Sequence, residues 1–323
     1  MRITNSMLCD NFMNDMQTNL ENMQRLQSQL TSGKEIRMPS DDPFKAARIL
    51  QINDNLGESE QYNENINDTA NWLQATDTSL GELTSSVQRI RELVIASGDA
   101  AYGESELKTI KDEINEKVGE VTQILNASFD GKYLFGGTKA SSKPLSVIPD
   151  ATSGNNQIKF TGDNGTVVGD KSDEYKMIST KMSVEISQGV KMEYNITANQ
   201  VLNFKNKSGT DKNIPAMLDN ILNHLGDKTK RNELVTNDLT DVTDALDNLL
   251  KVRAEVGAKQ NRMESALNNN ENANFNLTKI LSKTQDIDFT KKTMEMATAR
   301  TVYMASLQTS AKIIQPTLMD YLR

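Results

Sequence analysis

The sequence predicts a mainly α-helical chain with one small β-rich insertion, its N- and C-terminal halves pairing as a bundle of long coiled-coil helices. Three observations predict this. Apolar residues recur at alternating spacings of three and four through both halves. The six prolines leave two long runs, 44–143 and 216–315, without one. From about 140 to 212 the pattern changes to short alternating runs punctuated by Gly, Ser and Asn.

The first helix keeps Cys9, Phe12, Met16, Asn19, Met23, Leu26 and Leu30 on one seam. Ser32-Gly33 ends it, glycine being common just past a helix C-terminus. The stretch SGKEIRMPSDDPFKAARILQI then breaks the pattern, with Pro39 and Pro43 four residues apart. Proline fixes its own φ and biases the preceding residue, here Met38 and Asp42, away from helix. Asp42-Pro43 reads as an N-cap followed by proline at the first helical position, and Asp41 and Asp42 suit the positive end of the new helix.

The second helix carries Ile49, Ile52, Leu56, Ile66, Ala70, Leu73, Leu80 and Val87, with Leu83, Ile90 and Val94 on an adjoining seam, and closes at Ser97-Gly98. About 55 residues at 1.5 Å each make a rod of roughly 80 Å, a length that suits a bundle or an assembly subunit. A third helix holds Leu107, Ile110, Ile114, Val118, Val121 and Leu125.

In the insertion, QIKFTGDN, MISTKMSVEISQ and MEYNITANQVLNF read as strands, and Asp163-Asn164-Gly165 as a hairpin turn. Helix resumes at Ile214-Pro215. Leu239, Val242, Leu246, Leu249, Arg253, Val256, Gln260, Met263 and Leu267 restore the three-four alternation. The last helix, from Asp288 to Gln315, is apolar on several faces through Met294, Met296, Ala297, Val302, Met304, Leu307, Ile313 and Ile314. Such a helix is buried or awaits partners.

Composition narrows the function. Net charge is −8 and the basic residues are dispersed, so nucleic acid is not an expected partner. No apolar run is long enough to span a membrane, and MRITNSMLCDNFMNDMQ has no signal-peptide core. The single Cys9 rules out an intramolecular disulfide or a multi-cysteine metal site. Aromatics are only 5% of the chain, which suits helices that each bury one stripe.

Candidate chemical sites weigh toward structural roles. His224, the one histidine, stands near a helix end as a surface residue. DLTDVTDALD (238–247) lacks the Gly and terminal Glu of a calcium loop and reads as a solvated helix face. Gly136-Gly137 reads as a sharp exit from bundle to insertion. No catalytic triad, phosphate loop or dinucleotide fingerprint is present, and neither an enzymatic activity nor a cofactor or metal is expected.

The whole layout resembles the flagellin superfamily of bacterial axial proteins. The resemblance rests on Met1-Arg2-Ile3-Thr4, Leu30-Thr31-Ser32-Gly33-Lys34 and Pro39-Ser40-Asp41-Asp42-Pro43 with the Phe44–Leu50 run. It rests also on Phe129-Asp130-Gly131-Lys132-Tyr133-Leu134-Phe135-Gly136-Gly137-Thr138 and on the tail from Ala311 to Arg323. Filament flagellins usually carry an Asn-Ser-Ala stretch where this chain has Met38–Pro43, which favours the hook–filament junction branch.

The resemblance implies five segments. Residues 1–38 and 287–323 are inner-tube helices, 39–139 and 213–286 the two halves of the long-helix bundle, and 140–212 the inserted domain. Pro39, Asp41, Asp42 and Pro43 form the joint between the layers. Phe12, Met16, Met23, Leu26 and Leu30, with Met296, Val302, Leu307, Ile313 and Ile314, form the assembly interface and order on polymerisation. The implied partners are further copies in a helical ring, another hook-associated protein, flagellin and an export chaperone. The implied location is extracellular, in the flagellum, after export through its secretion channel. Two alternatives stay open: a filament-forming flagellin, and a cytosolic coiled-coil binding module.

Overall fold

The computed structural model describes residues 5–98, 103–150, 154–163, 165–169, 172–206, 209–227 and 230–313. The N-terminal half is helical: α1 (Asn5–Ser32), α2 (Pro43–Ser97) and α3 (Glu104–Leu125). A two-residue-strand hairpin, β1 (Ser128–Phe129) and β2 (Lys132–Tyr133), follows, and then β3 (Leu145–Pro149) and β4 (Asn156–Phe160). Next come α4 (Asp173–Ser179), β5 (Ser183–Ser187), β6 (Val190–Glu193), α5 (Ala198–Leu202), β7 (Asn203–Lys205) and β8 (Asp211–Asn213). Helix returns as α6 (Ile214–Gly226) and the short α7 (Arg231–Glu233). A π-helical turn (Leu234–Asp238) leads into α8 (Leu239–Gln285), and α9 (Phe289–Ile313) completes the described chain. Two compact units result, residues 60–271 and residues 1–59 with 272–323.

The core of the 60–271 unit follows the heptads. Ile66, Leu73, Leu80, Val87 and Val94 of α2 meet Ile114, Val118, Val121 and Leu125 of α3, Ile221 and Leu222 of α6, and Val242, Leu249, Val256 and Met263 of α8. Thr76 and Ser79 are buried among them on α2, and each hydroxyl bonds the carbonyl four residues back, at 2.8 Å to Trp72 and 3.1 Å to Ala75. Local bonds of this kind satisfy these two buried hydroxyls within their own helix. Arg253 fixes α8 against α2 through two bonds to Asp77, Nε to Oδ1 at 3.0 Å and Nη2 to Oδ2 at 3.2 Å. Such fork geometry sets register as well as attraction.

The insertion is built of separate two-stranded antiparallel hairpins rather than one sheet among the described residues. It also departs from the expected strands. MISTKMSVEISQ contains the end of α4 before β5 begins, and MEYNITANQVLNF contains α5 between β6 and β7. Caps decide this. The Tyr175 N–H donates to Ser172 Oγ at 3.2 Å, and the Gln200 N–H to Thr197 Oγ1 at 3.3 Å. Each short helix then buries an apolar face, Ile178 on α4 and Ala198, Val201 and Leu202 on α5. Capping plus burial outweighs the strand propensity of the β-branched residues. The turn after β4 is closed by Gly162 N–H to Thr166 O at 2.8 Å; Asn164 lies outside the described residues.

Two polar sites also differ from expectation. His224 is not a surface residue: its side chain is 14% exposed, with Nδ1 2.7 Å from Asp238 Oδ2 and Nε2 3.3 Å from Glu233 Oε2. The 238–247 stretch is not a solvated face, since Asp238, Asp241 and Asp244 are all buried. The π-helical turn brings Leu234 and Asp238 inward together, and Lys212 meets Asp241 at 2.7 Å. Burial pushes the Asp238 carboxyl above its ordinary range, against the opposing pull of His224. Basic partners from α6 and β8 thus allow carboxylates to face inward where the sequence shows only a charged helix. Among the described residues, no three His, Cys, Asp or Glu side chains gather as a metal site.

Candidate assembly site: the terminal helix pair and its joint

In the unit formed by residues 1–59 and 272–323, α1 packs along α9. Leu26 is buried, and Cys9, Phe12, Met16, Asn19, Met23 and Leu30 are half-buried at the same three-four spacing. On α9 the half-buried residues are Lys292, Glu295, Met296, Ala299, Tyr303, Ser306 and Ser310. That face is largely small or polar. Much of the apolar material of α9 points elsewhere: Met294 is 66% exposed, Val302 47%, Met304 47% and Leu307 44%. So Met296 lies on the face toward α1, whereas Val302 and Leu307 do not. The Ile313 side chain and Ile314 lie outside the described residues. A groove of about 450 Å³ runs beside the pair, lined by Asn19 and by Met294, Thr298 and Val302 of α9.

The joint between α1 and α2 is an ordered structure. Gly33 turns the chain with φ +72°, a conformation that costs glycine little. The Glu35 N–H donates to the Gln285 carbonyl at 2.6 Å, and the Ile287 N–H to the Gly33 carbonyl at 3.1 Å. Lys34 and Asp286 pair as an isolated antiparallel bridge. The linker from α1 to α2 is therefore fastened to the linker from α8 to α9, and α1 and α9, meeting end to start there, run antiparallel. Ile36, the one apolar residue in GKEIR, inserts against Ala46, Ile49 and Leu281 as a small core of its own.

Each joint residue picked out by sequence has a distinct part. Pro39 opens a turn closed by Asp41 N–H to Met38 O at 3.0 Å, with proline at its favoured second position. Asp41 Oδ2 accepts the Met38 and Arg37 N–H groups at 3.0 and 3.1 Å. Those two bonds hold its carboxyl below the ordinary carboxylate range, the Met38 bond most strongly. Asp42 Oδ1 accepts the Phe44 and Lys45 N–H groups, each at 3.1 Å. It is thus the N-cap of α2, with Pro43 at N1. Residues the sequence reading missed are Glu35, Ile36, Leu281, Asp286 and Asp288. Asp288 caps α9, accepting the Lys291 N–H at 3.1 Å, and an aspartate just ahead of a helical run was a readable signal.

Two family signatures divide along this architecture. The bacterial flagellin N-terminal helical region matches residues 3–140, and the bacterial flagellin C-terminal helical region matches residues 239–322. Together they take in α1 to α3 and α8 to α9 and leave out most of the insertion. The chain belongs to the bacterial flagellin superfamily. Its likeness to individual members runs nearly end to end. It is 24% identical to a flagellin of Bacillus subtilis over 95% of this chain and 94% of that protein. It is 21% identical to flagellar hook-associated protein 3 of Escherichia coli over 95% of each. Among solved structures, a putative flagellar hook-associated protein from Vibrio parahaemolyticus has the same fold, with TM-score 0.60 and 20% identity over 76% of this chain and all of that one. Superfamily members are structural flagellar components. The stretch between the two matches, residues 141–238, holds the insertion together with α6, α7 and the π-helical turn.

Proposed function

We propose that this chain is a structural axial protein of the bacterial flagellum that joins hook to filament. The observation that carries this is the end-to-end correspondence with hook-associated protein 3, in a chain whose terminal helix pair leaves apolar faces uncovered. The α1 seam, Phe12, Met16, Met23, Leu26 and Leu30, pairs with α9 inside the subunit. Met294, Val302, Met304 and Leu307 are left to meet further copies around and along a helical axis. Heterologous contacts repeated by rotation and rise build such a zone. The joint, Pro39, Asp41, Asp42 and Pro43, links the inner helix α1 to α2, and the insertion, with residues 140–212 as its bounds, stands apart from both inner helices in sequence.

The partners follow from the role: another hook-associated protein on one side, flagellin on the other, and an export chaperone that covers the apolar C-terminal helix before assembly. The protein works outside the cell, reached by flagellar export, and by contact rather than by catalysis. The filament subunit is the second reading, favoured by the B. subtilis flagellin match. Immunogold labelling of an epitope placed in the insertion separates the two. A narrow band between hook and filament is the expected result. Label along the whole filament would establish the second reading, and label confined to the cytosol would overturn both.

A further inference from the structure

The insertion, the β1–β2 hairpin and α2 line an open cleft of about 670 Å³ inside the 60–271 unit, within the size range of small-molecule sites. Three aromatic side chains line it. Trp72 is central, with Phe129 at 6.2 Å and Tyr194 at 6.1 Å between ring centroids, both nearly perpendicular to it. Phe129 is held there by the β1–β2 hairpin, whose two-residue turn is Asp130 (φ +50°) and Gly131 (φ +72°), the Asp-Gly signature of a type I′ turn. Short polar side chains complete the lining: Asn65, Asp68 and Asn71 from α2, and Asp130 and Lys132 from the hairpin.

The polar ends of the aromatics are poorly satisfied. Trp72 is only 7% exposed, and its indole N–H is buried with no hydrogen-bond acceptor. The Tyr194 hydroxyl reaches only the Met182 sulfur, at 3.8 Å, a weak acceptor. Buried indole and phenol groups ordinarily find partners. The indole N–H has no accessible surface, so a ligand in the cleft gains instead by bringing an acceptor to the Tyr194 hydroxyl, which neither a hydrocarbon nor a tetraalkylammonium ion supplies. Two carboxylates, Asp68 and Asp130, stand against one ammonium, Lys132, so an anion is disfavoured. What remains is a neutral molecule with hydroxyls for the Asn and Asp side chains and an apolar face for the rings.

We propose that this cleft binds a short neutral oligosaccharide. The exposed Phe129 ring stacks against the C–H face of the sugar, and Asn71, Asp68 and Asp130 bond its hydroxyls. This role is separate from assembly, since none of the lining residues belongs to α1, α9 or the joint.

Trp72 is the only tryptophan in the chain, so its fluorescence reports this cleft alone. The full chain is titrated with maltotriose, cellotriose and chitotriose, and with tetramethylammonium chloride and inorganic phosphate as contrasting probes. The expected result is a saturable change in Trp72 emission with at least one trisaccharide and with neither ion. Asn71→Ala and Phe129→Ala, at exposed positions, then weaken binding about five- to tenfold with the thermal midpoint of Asn71→Ala unchanged. No saturation with any trisaccharide at about 10 mM, far above the range of useful sites, overturns the proposal. So does saturation by either ion instead, or trisaccharide binding that survives both substitutions.

Discussion

Asp41 is exposed, yet two backbone N–H groups converge on its carboxylate and lower its pKa. Its ordinary value is 3.8, so its stabilising effect on the joint is fully present above that pH. The effect is lost as pH falls through the lower native value. Acid titration followed by the Arg37 and Met38 amide resonances is expected to show this loss below pH 3.8, and Asp41→Asn to abolish the carboxylate-linked step. Amide shifts that move through neutral pH would contradict it. His224 poses the opposite case, a partly buried ring between Asp238 and Glu233. His224→Ala leaves the buried Asp238 without its basic neighbour and is expected to cost about 2 kcal/mol in urea unfolding. A loss within about 0.5 kcal/mol, the range of ordinary surface changes, would show that the contact contributes little. Neither residue reveals its setting in sequence. Asp42 did, because an N-cap is local, whereas the burial of His224 and Asp238 depends on a π-helical turn and on elements that meet only in the folded chain.

At the scale of elements, the helices were legible and the insertion was not. Heptad spacing located α1, α2, α3 and α8 because a buried stripe imposes the same period on every turn. Helices α4 and α5 are seven and five residues long, too short for that period to register, and the α5 cap, Thr197, follows Ile196 in a β-branched pair. The Gly136-Gly137 turn shows what the insertion requires of its backbone. Gly137 has φ +60°, and a Cβ there would strike the Met177 and Ile178 carbonyl oxygens. Gly33 has φ +72° with open space around it. Gly137→Ala is therefore expected to cost about 3 kcal/mol or more, and Gly33→Ala about 1 kcal/mol, the cost of the left-handed backbone alone. Equal losses in denaturant titrations would mean that packing against α4 does not constrain the turn. For the α1–α9 pair, a half-buried seam predicts low local stability. Amides of residues 9–30 and 294–313 should exchange faster than those of α3 in dilute solution and become protected on polymerisation. Protection equal to α3 in the monomer would contradict ordering on assembly.

At the scale of the whole molecule, the chain separates two tasks. Residues 60–271 form a unit whose apolar core is filled from within, by α2, α3, α6, α8 and the insertion. The unit formed by the two ends keeps a small core at Ile36, Ala46 and Ile49 and leaves Phe44, Phe275, Phe289 and the outer side of α9 exposed. An end unit that is incomplete alone and completed by neighbours is what an axial subunit needs, since it must stay soluble until it is placed. The family resemblance was readable from short motifs spread over both ends. The facing side of α9 was not, because a helix apolar all round gives no phase from which to choose. The most direct test of the junction role is deletion of the gene for this chain in its motile host, followed by electron microscopy of the cells and a search of the medium for flagellin. The account predicts cells that carry hooks without filaments and shed unassembled flagellin. Filaments of normal length and number on the deleted cells would contradict it.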